Sequence, residues 1–218
     1  MSTTKELLAD IYRRLDETYG DQHWWPGDSP FEIAVGAILT QNTAWSNVVR
    51  AITNLREAGL LEYAKLAALP ASAVAPLIRP AGYYNVKARR LRSFLDFLGE
   101  ECDGDVTALA RRGLADAREG LLAVRGIGPE TADSILLYAC GLPTFVVDAY
   151  TYRILYRHDV VEESAAYDEV KEIFESNLEA DAALFNQYHA LLVKVGRERC
   201  RRREPRCAGC PLEGIRRG

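Results

Sequence analysis

Four groups of residues in this sequence have the types and spacing to do chemistry. Gly126-Ile127-Gly128-Pro129 joins the end of an apolar segment to the start of a new helix, since proline is favoured in a first helical turn. Two glycines around one apolar residue allow a tight turn that presents N–H groups beside a helix N-terminus. That geometry suits a phosphate oxygen, and it also serves as a plain helix connector. Asp148 follows the apolar run Phe145-Val146-Val147 and opens another helix. An aspartate there is ordinarily an N-cap; a buried one can also stabilise developing positive charge and orient water, and the two roles are compatible. All three tryptophans lie in His23-Trp24-Trp25-Pro26 and Leu39-Thr40-Gln41-Asn42-Thr43-Ala44-Trp45. They are either core or flat faces for a planar or cationic ligand. Cys200, Cys207 and Cys210 have the spacing C-x6-C-x2-C within an arginine-rich stretch.

The elements that must position these groups read as helices. Apolar residues recur at helical spacing over 2–19, with Thr3 or Thr4 as cap, and 31–39 is almost wholly apolar, as for a central buried helix. Further helices are expected over 44–57, 62–68, 72–78, 85–98, 106–110, 115–123, 129–140, 149–156, 165–177 and 182–195. Only 144–147 looks β-like, and it is too short to found a sheet. The expected class is all-α. Turn signals at Trp25-Pro26-Gly27 and Gly141-Leu142-Pro143 divide the chain into a central helical lobe over 26–142 and a second lobe from 1–25 plus 143–218, with a cleft between them.

Composition narrows the partners. The chain has 218 residues, 48% of them hydrophobic and 27% charged, enough for a real core in one large or two small domains. Neither a secretory leader nor an apolar run long enough for a membrane span is read, so a cytoplasmic protein, nucleoid-associated if it binds DNA, is expected; separately, a monomer is expected. The net charge of −4 excludes holding a polyanion by global charge. Residues 194–218 nevertheless carry nine Lys or Arg against three Glu, and the rest of the chain is correspondingly acidic. Such a tail is either a solvated terminus or a local basic surface. Lys87, Arg89, Arg90 and Arg92 form a second basic run, on a helix, solvated or tracking phosphates.

Taken with Thr131-Ala132 after the hairpin, then Gly141-Leu142-Pro143 and Val147-Asp148, the sequence resembles the helix-hairpin-helix DNA glycosylases of the endonuclease III superfamily. The resemblance runs from about residue 31 to residue 210. It implies base excision repair on double-stranded DNA that contains a damaged base, with Asp148 as the catalytic aspartate. Such a carboxylate would stabilise the cationic sugar that forms as an N-glycosidic bond breaks. Members that also cut the backbone carry a lysine two residues after the second hairpin glycine. Here that residue is Glu130, which cannot form the imine, so a monofunctional enzyme without efficient lyase activity is expected. The adenine-mismatch branch has a glutamate four residues before the Gln; here Ala37 stands there.

Within the superfamily, Trp24-Trp25-Pro26, Leu39–Thr43, Gly82-Tyr83-Tyr84-Asn85-Val86-Lys87-Ala88 and Glu130 are most similar to the 3-methyladenine DNA glycosylase branch. That resemblance implies a base pocket of Trp24, Trp25, Pro26, Trp45 and Glu130, since π faces attract an alkylated, cationic purine. It also implies DNA contacts from Gln41, Tyr83, Lys87, Gly126, Gly128 and Thr131, with Gln41 entering the gap left by a flipped base and Tyr83 wedging the opposite side. Many relatives end in C-x6-C-x2-C-x5-C around a [4Fe-4S] cluster. Cys200, Cys207 and Cys210 match, whereas the fourth place is Arg216; a [4Fe-4S] cluster completed by an exogenous ligand, in a structural and DNA-docking role, is expected, the alternative being a degenerate site. The alternatives are a glycosylase for damaged or mismatched pyrimidines and a non-catalytic module that binds damaged DNA.

Overall fold

Proline and glycine set several of the helix boundaries. The computed structural model describes residues 3–215, and all its regular elements there are helical. In chain order these are α1 (Thr4–Tyr19), α2 (Pro30–Thr40), α3 (Trp45–Glu57), α4 (Tyr63–Ala67), α5 (Ala71–Val74), a 3₁₀ turn (Arg79–Ala81), α6 (Tyr84–Cys102), a 3₁₀ segment (Val106–Arg112), α7 (Leu114–Ala123), α8 (Pro129–Ser134), a π segment (Ile135–Ala139), α9 (Ala149–Arg157), α10 (Tyr167–Glu175) and α11 (Ala182–Glu198). Residues 144–147 are irregular rather than a strand. The helix expected over 72–78 ends at Val74, because Pro76 supplies no N–H and disfavours helix just before it. The expected 129–140 helix changes register to π after Ser134. Among the described residues no helix is long and apolar enough to cross a membrane.

Two units result, one central (Trp25–Leu142) and one terminal, built from the residues up to Trp24 and those from Pro143 onward. In the central unit α2 is the buried axis. Ala34, Val35, Ile38 and Leu39 are fully enclosed, and α2 touches α3, α6, α8 and the π segment. Ser29 caps its start by accepting from the Glu32 N–H, and Pro30 occupies the first turn. Glu32, nearly buried, is held by Arg56 at 2.7 Å. Cys102 is buried in the same core, and Cys140 donates to the Val106 carbonyl at 3.4 Å. Burial pushes the Cys140 thiol up to about 12.

In the terminal unit α11 packs on α9 and α1. Tyr188 is fully buried and donates from its hydroxyl to the Leu8 carbonyl at 2.9 Å, while Phe145 stacks on Phe174 at 3.7 Å between ring centres. Gly196 lets α9 come close: a Cβ there would lie 2.6 Å from Cδ1 and 2.8 Å from Cβ of Tyr150. Tyr150 opens α9 two residues after Asp148. Gly196→Ala is therefore expected to lower stability by about 1–3 kcal/mol, the usual cost of overpacking, measured by urea denaturation.

Candidate active site

Asp148 is the N-cap of α9. Its Oδ1 accepts from the Tyr150 N–H at 2.9 Å, the Thr151 N–H at 2.8 Å and the Thr151 hydroxyl at 3.0 Å. Two of the free N–H groups of the helix start are thereby satisfied, and the carboxylate is fixed in orientation. Oδ2 takes none of these bonds and lies 3.8 Å from Nε2 of His189, a buried residue of α11. The Asp148 side chain keeps 14% of its surface exposed. The capping and chemical readings of this residue are therefore compatible, one oxygen for each. Burial holds the His189 pKa below its ordinary 6.5, with the Asp148 charge pulling the other way. Trp24 meets His189 edge-on at 6.4 Å between ring centres, so Trp24, His189 and Asp148 form one run of contacts in the terminal unit.

The central unit carries the hairpin and the other aromatics. Gly126 has φ +94°, and a Cβ on it would sit 2.4 Å from Cγ of Arg90, so glycine is required twice over. Ile127 is buried and anchors the turn, whereas Gly128 faces open space. Glu130 lies exposed on the first turn of α8 and is not among the residues that line the aromatic cavity of this unit. Trp25 stands edge-on to Trp45 at 4.8 Å and leans on Tyr138 at 4.9 Å. With Pro26 and Gly36, the two tryptophans line a cavity of about 180 Å³. Tyr138 is a partner the sequence reading missed, since it is brought to Trp25 by the π segment.

Gln41 and Tyr83 occupy chain turns at the ends of α2 and α6. Nε2 of Gln41 donates to the Gly126 carbonyl and to the Thr131 hydroxyl, both at 3.0 Å, and its Oε1 accepts from Arg90. Tyr83 has φ +45° and is 74% exposed. Two expected DNA contacts need correction. Lys87 is only 1% exposed and points inward, donating to the carbonyls of Leu39 at 2.7 Å and Ala81 at 2.8 Å. Burial, with help from Arg90, lowers its pKa to about 8. Its place on the stripe with Leu91 and Phe94 explains why it turns into the core. Thr131 is likewise buried, its hydroxyl turned to Gln41.

Positive charge at the surface comes instead from arginines. Arg89, Arg90, Arg92 and Arg125 line a cavity of about 430 Å³ beside Gly126. Arg92 is tied to Asp96 and to the Ala67 carbonyl. Arg125, inside the hairpin string itself, was not singled out from the sequence.

The cysteine tail gathers less than its spacing implied. Cys200 accepts from Arg157 at 3.3 Å, Cys207 is exposed, and burial raises the Cys210 thiol, with Cys200 and Cys207 adding to the shift. Among the described residues no group of three or more His, Cys, Asp or Glu is placed to hold a metal ion. Arg216, at the fourth position, lies outside the described residues. As placed, Cys200, Cys207 and Cys210 form no such group, and they supply only three of the four thiolates that a [4Fe-4S] cluster ordinarily takes.

The family model described as HhH-GPD superfamily base excision DNA repair protein matches residues 35–180. A Methanocaldococcus jannaschii protein provisionally named a DNA repair glycosylase is 46% identical over 210 residues, covering 95% of this chain and 94% of its own. Endonuclease III of Escherichia coli is 29% identical over 188 residues, covering 86% and 83%. The crystal structure of Helicobacter pylori 3-methyladenine DNA glycosylase bound to 1,N6-ethenoadenine superposes with a TM-score of 0.76 at 30% identity, covering 90% of this chain and 98% of that one.

The acid limb of stability tests the histidine beside Asp148. The folded His189 has the lower pKa, so the unfolded chain takes up a proton first as pH falls through about 6.5, and stability is lost there. Measured by denaturant titration, the wild-type advantage over His189→Gln should shrink between about pH 7 and pH 5.

Proposed function

The chain belongs to the HhH-GPD superfamily of base excision DNA repair proteins, and on that premise we propose that it hydrolyses the bond between deoxyribose and an alkylated purine, 3-methyladenine first among them, without cutting the backbone. Membership makes it a DNA glycosylase that binds DNA and acts on N-glycosyl bonds. The reading rests above all on Asp148, which has an oxygen left over after capping; Glu130 at the hairpin position of the lyase amine supports the monofunctional part.

The chemistry follows from those groups. As the C1′–N bond lengthens, the base takes the bonding electrons and positive charge builds on the sugar. The Asp148 carboxylate stabilises that charge, and Oδ2 accepts a proton from the water that adds to C1′. An N-alkylated purine already carries positive charge, so it departs as a neutral base and needs little acid assistance. Trp25 and Trp45, with Pro26, offer faces and edges suited to such a base, and Trp24 does so beside Asp148. Gln41 and Tyr83 serve as the wedge in the duplex, and the hairpin N–H groups and nearby arginines bind phosphates. The H. pylori 3-methyladenine glycosylase, similar over nearly its whole length, supports the alkylpurine choice.

A panel of duplexes carrying 3-methyladenine, uracil, oxidised pyrimidine or adenine opposite 8-oxoguanine tests the substrate by base release. Release of the alkylated purine alone is expected; preferential release of a pyrimidine would overturn the reading. Asp148→Asn keeps a capping oxygen and should fold with duplex affinity unchanged, while excision falls by about 10²–10⁴-fold. Borohydride should trap no enzyme–DNA adduct, because no amine occupies the hairpin position; a trapped adduct would sink the monofunctional claim.

A further inference from the structure

Lys87 is a charged group that the core holds without a carboxylate partner. Its side chain is 1% exposed, and its two hydrogen bonds go to main-chain carbonyls. Burying an ammonium is costly, and two neutral acceptors compensate only because both are helix-end carbonyls carrying partial negative charge. Leu39 is the last residue but one of α2, and Ala81 ends the 3₁₀ turn. A leucine or methionine would fill such a space more cheaply, so the ammonium answers to what those two carbonyls hold.

Each carbonyl belongs to a segment that presents a proposed wedge. Two residues after Leu39 comes Gln41, whose amide is tied to the hairpin at Gly126 and Thr131. Two residues after Ala81 comes Tyr83, exposed, in the left-handed region and preceded by Gly82 at φ +68°. A non-glycine residue there is strained and persists only where its surroundings fix it. Lys87 fixes it from both sides: its main-chain N–H donates to the Tyr83 carbonyl at 3.0 Å while its ammonium holds Ala81. One turn along α6, Arg90 reaches Gln41. We infer that Lys87 is a positioning residue, whose ammonium locks the Gln41 end of α2 and the Tyr83 turn in one register before a duplex arrives. The inference rests on the reading of Gln41 and Tyr83 as the wedge.

Double-mutant cycles separate this role from a merely structural one. Base flipping is read from 2-aminopurine fluorescence beside an abasic-site analogue, excision from single-turnover rates on 3-methyladenine duplex, and folding from thermal melts. Tyr83→Ala and Gln41→Ala should each reduce flipping. Lys87→Met should reduce flipping and excision by about tenfold while undamaged-duplex affinity stays within about twofold. On the Tyr83→Ala or Gln41→Ala background the same lysine change should cost less than about twofold more. Equal losses on all backgrounds overturn the inference. Lost duplex affinity with intact flipping also overturns it, making the lysine a phosphate contact instead. If Tyr83→Ala and Gln41→Ala leave flipping unchanged, the wedge reading itself fails and the lysine's role falls with it. Should Lys87→Met not fold, Lys87→Gln replaces it. If neither folds, amide exchange in the unmodified protein decides: 39–42 and 81–84 should open together, and separate opening rates refute the lock.

Discussion

Three donors converge on Oδ1 of Asp148, and none of them reaches Oδ2. The helix start needs an acceptor and the proposed reaction needs a fixed anion, and one carboxylate can meet both demands because its oxygens point to different neighbours. Its aim depends on α9 staying seated on α11. That contact is close because Gly196 leaves room for Tyr150, and the same helix carries His189 beside Oδ2. Packing, helix capping and the orientation of the second carboxylate oxygen are therefore one linked arrangement. A change in the α9–α11 contact is felt at the carboxylate without touching it.

The central unit handles charge in a different way. Its net-acidic chain concentrates arginines on one face of α6 and at the hairpin, where a polyanion can displace water and ions. Lysine, whose compact ammonium can turn in toward two carbonyls, is placed inside. Arginine, with its wide planar fork, is placed outside or half-buried against Gly126. The two cation types on a single helix thus divide the work between holding the backbone and facing solvent.

Much of this was legible from periodicity and punctuation. The apolar run of 31–39 announced a central helix, and the glycines with Pro129 announced the hairpin, because those signals are local. Asp148 was legible for the same reason, as an acid after an apolar run at a helix start. Lys87 was misread because it stands among three arginines, although its spacing to Leu91 and Phe94 put it on the buried stripe. Tyr138 was invisible because a shift to π hydrogen bonding leaves no trace in residue spacing. His189 sat on the inward stripe of its helix, but its proximity to Asp148 is a long-range contact that no local pattern encodes.

Burial of Cys140 has a consequence for an enzyme that works where DNA is under chemical attack. Only thiolates react quickly with electrophiles, and a thiol pushed up to about 12 is almost wholly protonated at neutral pH. Electrophiles therefore find little nucleophile at this position. The packing around this partly buried sulfur thus also confers chemical endurance.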